Sequence, residues 1–287
     1  MFVDWFTEPF LLGFQQRALI GGVVSGLMAS TVGVWLVLRG MSFFGDAFMH
    51  GVLPGIAAAV VLDFNPFLGA ALAALVMVMG IELVHRQTSL KEDTAIGLLF
   101  VGMLALGVVI ASRSRSYTGS LTSILFGDAL GVSTDDLMVQ SALAVLVIAV
   151  AVALYRPLLA LSFDRDKAQT LGMHPARTHA ILLVLIAAAV IGSFQTIGTL
   201  LVFGLMIGPP ATASLVTRTV PQMMAAAALI AAASVWLGLL LSYHLHTAGS
   251  ATMALIPVIA FFVVLATRRL LQRSNARHHT DLHDVRS

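Results

Sequence analysis

Apolar residues fill most of this chain, and short groups of polar and charged residues interrupt them at fairly regular intervals. An apolar stretch of roughly 17 to 25 residues is long enough to cross the hydrocarbon core of a bilayer as a helix. This criterion predicts nine membrane-spanning helices, at about 16–38, 43–62, 66–84, 94–112, 137–155, 178–195, 198–216, 222–243 and 251–267. The sixth and seventh are the least distinct, so the sequence leaves open whether 178–216 forms one span or two.

The composition supports the same fold class. Hydrophobic residues make up 59% of the chain and charged residues 10%, and the mean hydropathy is +0.95. These values are typical of a polytopic membrane protein. We therefore predict an all-α membrane protein of about nine transmembrane helices (eight to nine). Residues 1–271 would form a single transmembrane domain, and 272–287 a disordered, histidine-containing cytoplasmic tail.

The basic residues indicate the orientation. With nine spans and the N-terminus outside, the outer connections carry only Arg17, Arg113 and Arg115 of the sixteen lysines and arginines. Cytoplasmic loops of membrane proteins are enriched in Lys and Arg, so the N-terminus is expected outside and the C-terminus in the cytoplasm. Because the basic residues lie in turns and in the tail, the pI of about 9.4 does not indicate a nucleic-acid partner.

A carboxylate and an imidazole stand four residues apart near the start of the second predicted span, in MSFFGDAFMHGVLPG (Met41–Gly55). That spacing puts Asp46 and His50 on one face of a helix. Ionisable groups at membrane depth are costly and usually functional. A carboxylate with a neutral imidazole suits Zn, Mn or Fe(II), and two ligands are too few for a tight structural site. We interpret the pair as handling a metal in transit; the simpler alternative is a helix cap at Asp46 and a carbonyl-bound His50.

Further polar residues are candidates for an auxiliary metal path, and each also has a simpler role. Glu82 can extend towards the inner surface, and Asp93 lies where acidic residues favour a helix start. Histidines at the end of a span, such as His244 and His246, are often inert surface groups. The candidates for the auxiliary path are thus Glu82, Asp93, His244 and His246.

The inner connection at 156–177 is too long for a simple turn. A capping serine, an acidic first turn and a glycine–proline stop follow one another here, as Ser162, Asp164, Asp166, Gly172 and Pro175. These are the start and stop signals of a helix. The pattern predicts a short helix across the cytoplasmic face at about 162–173, with an apolar side formed by Phe163, Ala168 and Leu171.

No catalytic motif accompanies these features. Neither Lys91 nor Lys167 follows a glycine, so the Walker motif GxxxxGK[ST] is absent, as are HExxH and GxSxG. The chain also lacks cysteine, and with it thiolate ligands and nucleophiles. We therefore expect a transport subunit and not an enzyme. An ATP-driven system needs a separate ATPase, whereas a gradient-driven carrier could relay protons through Asp46 and Glu82.

Five segments, in this order and spacing, closely resemble the permease subunits of bacterial manganese/zinc/iron ABC importers: LVLRGMSFFGDAFMHGVLPG, LKEDTAIGLLFVG, LTSILFGDALGVS, YRPLLALSFDRDKAQTLGM and LSYHLHTAGSAT. The similarity runs from about Gln16 to Thr267. It implies a fold like that of vitamin B12-importer permeases and a homodimer in the lipid of the bacterial inner membrane. It further implies a cytoplasmic ATP-binding subunit and an extracytoplasmic metal-binding protein as partners.

The resemblance also assigns roles to residues. Asp46 and His50 fall on the family's aspartate and histidine of the second span, which are associated with the translocation path. The segment Phe163–Gly172 falls on the coupling helix that docks into the ATPase, so the expected coupling residues are Phe163, Asp164, Arg165, Lys167, Ala168, Leu171 and Gly172. Zinc, manganese or iron would be cargo, with no permanently bound cofactor. A chelate- or haem-type permease of the same fold is the alternative, and the metal's identity stays open.

Overall fold

A computed structural model of the chain describes residues 2–88, 92–112, 133–163, 169–170 and 172–284. No strand occurs in this described part. A short helix α1 (Phe2–Thr7) and a 3₁₀ turn (Glu8–Leu11) precede the bundle. The helices that follow are α2 (Gly13–Leu38), α3 (Ser42–Gly51), α4 (Leu53–Val61), α5 (Pro66–Gln87), α6 (Glu92–Ala111), α7 (Thr134–Ala153), α8 (Tyr155–Phe163), α9 (Pro175–Ile197), α10 (Thr199–Val216), α11 (Val220–Leu245) and α12 (Gly249–Asp284).

Within the described ranges, eight helical segments are long and apolar enough to cross a membrane. They are α2, α3 together with α4, α5, α6, α7, α9, α11 and α12. The shorter apolar helix α10 is a ninth segment. Gly198 separates it from α9 with φ of 79°, a left-handed conformation that glycine adopts at little cost. The predicted all-α polytopic fold is confirmed, and 178–216 forms two helices.

The second predicted span is broken in the middle. Helix α3 ends at Gly51, and α4 starts at Leu53 after the single residue Val52. Pro54 explains the break, because proline has no N–H to donate to the carbonyl four residues earlier and its ring crowds that carbonyl. The carbonyl in question belongs to His50. Asp46 and His50 therefore lie on their own short helix.

Helix α2 is the centre of the bundle. It packs against α7, α9, α10 and α11, and most of its residues from Gly21 to Leu36 are buried. Its polar contact with α7 comes from the buried Gln140, whose amide donates to the Gly21 carbonyl (3.2 Å) and to the Ser25 hydroxyl. Because the contact is buried and hydrogen-bonded, it fixes the register between the two helices.

A tight turn joins α2 to α3. The Arg39 N–H donates to the Trp35 carbonyl (3.1 Å), and the Met41 N–H donates to the Leu36 carbonyl (2.9 Å). Between them Gly40 has φ of 68°, in the left-handed region that ends many helices. The start of α3 is thereby tied to the last turn of the central helix.

Helices α4 and α5 approach each other at Gly55 and Gly69. A Cβ atom on either glycine would overlap the backbone carbonyl of the other. Glycine therefore sets the spacing of these helices, as small residues commonly do between membrane helices. The contact holds α4, the second half of the broken span, against α5.

The connection at 156–177 differs from its predicted form at Ser162. This residue lies inside α8, and its hydroxyl donates to the Leu158 carbonyl (2.8 Å). The prediction of Ser162 as an N-cap is wrong, because the helix starts earlier, at Tyr155, and a serine in a last turn can bond back to the preceding turn. Gly172, where the stop is predicted, has φ of 73°, and its N–H donates to the Gln169 carbonyl (3.1 Å). The helix predicted at about 162–173 includes residues outside the described part and stays a prediction.

Helix α12 continues to Asp284. Helical backbone therefore extends into 272–287, for which the sequence predicts a disordered tail. Leucine, glutamine, arginine and alanine in this stretch all favour helix. The division into a 1–271 domain and a tail stays a prediction.

Candidate metal site

The Asp46–His50 pair lies on a face of α3 that the described helices leave partly exposed. Helices α2, α5, α6, α9 and α10 pack around α3 and bury Phe44, Ala47 and Phe48. The side chain of Asp46 is 36% exposed and that of His50 31% exposed. Phe43, on the same face, is 46% exposed. Two potential ligands are thus presented outward from a well-packed helix.

The distance within the pair suits a shared ion better than a hydrogen bond. Asp46 Oδ1 and His50 Nε2 are 3.6 Å apart, beyond ordinary hydrogen-bond length. Two ligand atoms at about 2.1 Å from a tetrahedral ion lie about 3.4 Å apart. An octahedral ion with similar bond lengths brings adjacent ligands to about 3.0 Å. A small inward movement of either side chain would therefore let both atoms bind one metal.

The simpler interpretation of Asp46 is not supported. Helix α3 begins at Ser42, so Asp46 lies in its second turn and does not cap it. Among the contacts of the described residues, the His50 ring meets Asp46 and an aromatic ring, with no hydrogen bond to a neighbouring carbonyl. Within the described part of the chain, neither side chain therefore caps the helix or bonds to a neighbouring carbonyl.

Aromatic and sulfur-containing side chains border the pair. On α6, the Phe100 ring meets the His50 ring at a centroid distance of 5.9 Å and an angle of 64°. It meets the Phe43 ring at 5.9 Å and 80°. On another side of α3, a Cβ atom at Gly45 would lie 3.3 Å from the Met206 sulfur, so α10 packs closely there. Helices α6 and α10 therefore hold α3 while its polar face stays open.

Comparison with known proteins identifies the family. Residues 12–268 match the ABC 3 transport family. The chain belongs to this family. It is 37% identical to the manganese transport system membrane protein MntC of Listeria innocua, over 88% of this chain and 89% of that protein. It is 32% identical to a probable iron transport system membrane protein of Haemophilus influenzae, over 93% and 98% of the two chains.

A solved structure has the same fold. A chain of PsaBC from Streptococcus pneumoniae, solved in complex with Fab, superposes with a TM-score of 0.80 at 31% identity. The match covers 92% of the present chain and 95% of that chain. The resemblance expected from the sequence, to permeases of metal ABC importers, is thereby confirmed.

In this member of the ABC 3 transport family, the predicted auxiliary residues lie apart from the pair. Glu82 is partly buried on α5, and Asp93 is exposed in the first turn of α6. Among the described residues, no three His, Asp or Glu side chains come close enough together to hold a metal ion. An auxiliary path through these residues stays a prediction.

The two histidines at the end of α11 have different surroundings. The His244 ring stacks on Trp5 of α1 at 4.2 Å and 5°, and its Nε2 lies 2.9 Å from the Trp5 carbonyl oxygen. His246 ends the helix in a left-handed conformation, with φ of 53°, and is exposed. His244 thus anchors the N-terminal helix, a contact that the sequence pattern did not suggest.

The expected ATPase-coupling residues are only partly described. Phe163 ends α8 and is 72% exposed, so its ring is available to a partner. Gly172 provides the turn before α9. The remaining coupling residues, Asp164, Arg165, Lys167, Ala168 and Leu171, lie outside the described residues, and their roles stay predictions.

A buried polar contact between α2 and α9, like that of Gln140, was missed by sequence reasoning. His179, on α9, is 3% exposed, and its Nδ1 lies 2.7 Å from Nη1 of Arg39 at the end of α2. Since a guanidinium can only donate, His179 accepts through Nδ1. A histidine at the start of an apolar run signals such a contact only weakly, and its partner is 140 residues away.

Proposed function

We propose that this chain carries a bare divalent transition metal ion across the bacterial plasma membrane as the permease subunit of an ATP-driven importer. The Asp46–His50 pair carries this proposal, because a carboxylate and an imidazole 3.6 Å apart on an open helix face can bind one ion weakly. Manganese is the first candidate, since the relative named above at 37% identity is a manganese transport protein. Iron and zinc suit the same ligand types.

A second copy of the chain would complete the site. Two ligands leave a tetrahedral or octahedral ion short of protein donors. The face that bears them is the one that the described helices leave partly exposed on α3. In a two-fold symmetric dimer with this face at the interface, each copy contributes the same pair, giving two carboxylates and two imidazoles. Such a site binds an ion when the copies approach and releases it when they separate.

ATP hydrolysis would be supplied by a separate cytoplasmic subunit, since the chain has no Walker motif. The exposed ring of Phe163 and the connection that follows it would form the docking surface. This arrangement places the C-terminus in the cytoplasm and the N-terminus outside, in agreement with the distribution of lysine and arginine. An extracytoplasmic metal-binding protein would then deliver the ion to the opposite surface.

The two alternative functions, a gradient-driven carrier and a chelate or haem permease, explain fewer of these observations. A gradient-driven carrier using Asp46 and Glu82 does not explain membership of an ABC transport family. A chelate or haem permease needs a wide cavity and has no use for two ligands spaced to share one small ion. We therefore favour the bare ion.

Elemental mass spectrometry of cells tests the proposal. Cells lacking the gene, grown under mild chelation, should lose manganese, iron or zinc. Wild-type protein should restore that metal, whereas Asp46→Asn should not. Asp63→Asn is the matched control, because it makes the same chemical change at an exposed turn with φ of 55°, which asparagine also tolerates.

Two results would count against the proposal. Full rescue by Asp46→Asn would show that the metal ion does not need the Asp46 carboxylate to cross the membrane. Rescue that continues after deletion of every candidate ATPase partner would favour the gradient-driven carrier.

A further inference from the structure

We propose that Phe100 is the positioning residue of the metal pair: its ring on α6 holds the His50 imidazole in the orientation that shares an ion with Asp46. This inference rests on the proposed function and extends it to a residue outside α3. Phe100 has no ligand atom, so it acts through His50 and does not touch the metal.

The contacts place Phe100 at one edge of the open face. At about 100° per residue, Phe43 and His50 project within about 20° of each other on α3, while Asp46 is turned about 40° from His50. The Phe100 ring lies 5.9 Å from both the Phe43 and the His50 rings. It therefore flanks the histidine side of the pair and leaves the aspartate side open.

This contact restrains a torsion that is otherwise soft. The terminal χ2 torsion of histidine has broad minima, so a half-exposed imidazole on a helix surface can turn its nitrogens in several directions. An edge-to-face aromatic neighbour restricts that rotation and contributes a favourable contact of its own. In the observed orientation Nε2 faces Asp46 at 3.6 Å.

The Phe100 ring also determines from which side the ion can be ligated. A hydrocarbon ring on the α6 side offers no donor atom, so further ligands must come from the open side. In the proposed dimer that side faces the second copy. The ring thereby favours a bare ion shared between two pairs over a hydrated ion bound on one chain.

A double-mutant cycle tests this role. Initial rates of metal uptake into proteoliposomes containing the whole transporter, with its ATPase and binding protein, would be measured for Phe100→Ala, His50→Ala and the double variant. We expect Phe100→Ala to lower uptake about two- to tenfold, the range of an aromatic contact. In the His50→Ala background the same change should have little further effect, because the residue it positions is gone.

Matched variants separate positioning from packing. Leu99→Ala removes the neighbouring apolar side chain of α6, which packs towards Gly80 of α5, and should leave uptake near wild type. Phe100→Tyr keeps the ring and should retain uptake. If Phe100→Ala fails to assemble, Phe100→Val replaces it in the cycle. Co-purification of the ATPase subunit and its basal ATPase rate report assembly for every variant.

The outcomes are distinguishable. If Phe100→Ala lowers uptake equally in the wild-type and His50→Ala backgrounds, or if Leu99→Ala lowers it as much, the positioning role is refuted while the proposed function stands. If His50→Ala itself transports normally, both the positioning role of Phe100 and the proposed function are refuted. Loss in Phe100→Ala, retention in Phe100→Tyr and no further loss in the double variant support the inference.

Discussion

Replacing Arg39 with methionine should destabilise the folded chain by about 1 to 3 kcal/mol, the cost of losing a buried hydrogen bond to a charged group. The structure sets this magnitude. Arg39 Nη1 and His179 Nδ1 are 2.7 Å apart, and His179 is 3% exposed, so water cannot readily replace the guanidinium. His179→Leu should cost less, because Arg39 is only half-buried and can turn towards water.

Thermal unfolding in detergent, followed by tryptophan fluorescence at a fixed scan rate, measures the effect. At about 2 to 4 °C per kcal/mol for a chain of this size, Arg39→Met should lower the transition by roughly 2 to 12 °C. Arg218→Met is the matched control, since Arg218 is exposed, and it should change the transition by less than about 1 °C. In the His179→Leu background, Arg39→Met should cost less than in the wild type. Equal losses in both backgrounds, or no loss at all, would refute the reasoning.

Two further predictions concern packing. Gly55→Ala should lower the thermal transition and the yield of assembled protein, because its methyl group would overlap the backbone of α5. Gly97→Ala should be neutral or stabilising, because no described atom outside its own stretch of helix lies within 4 Å of the added methyl group. Equal behaviour of the two variants would contradict the close approach. His244→Ala should release α1 and speed its hydrogen exchange, whereas His246→Ala should not, and unchanged exchange in His244→Ala would contradict the anchoring contact.

The length of the apolar stretches predicted the helices well, since each span must satisfy its own backbone hydrogen bonds and so appears as a continuous apolar stretch. The predicted first span at 16–38 is α2 (Gly13–Leu38), and the predicted eighth at 222–243 is α11 (Val220–Leu245). The break at Val52 was missed, although Pro54 signals it. A proline inside an apolar run is easily taken as part of one span.

The pair itself could be predicted because it is local. Residues four apart on a helix share a face whatever the rest of the fold does, and Asp46 and His50 lie 3.6 Å apart. What surrounds the pair could not be predicted. Phe100 comes from α6, and the cover at Gly45 comes from Phe203 and Met206 of α10. These contacts depend on how helices distant in sequence pack together.

Polar groups at helix ends were the least predictable. Ser162 is a residue type that favours the N-cap position, but its hydroxyl donates to the Leu158 carbonyl, because α8 starts seven residues earlier. Ser162 could cap a helix or bond back within one, and the position of the helix start decides between the two. The sequence position of His244, at the end of a span, suggests an inert surface histidine, but its ring stacks on Trp5. The partner of His244 lies 239 residues away, so only the tertiary fold brings the two together.

Uptake of manganese by the reconstituted transporter tests the central claim most directly. Proteoliposomes would contain this chain and its ATPase subunit, with ATP inside and the metal-loaded binding protein outside. We predict ATP-dependent accumulation by the wild type, and loss of at least about tenfold in Asp46→Asn with the ATPase subunit still bound. Accumulation at the wild-type rate by Asp46→Asn would contradict the claim that the Asp46–His50 face carries the ion.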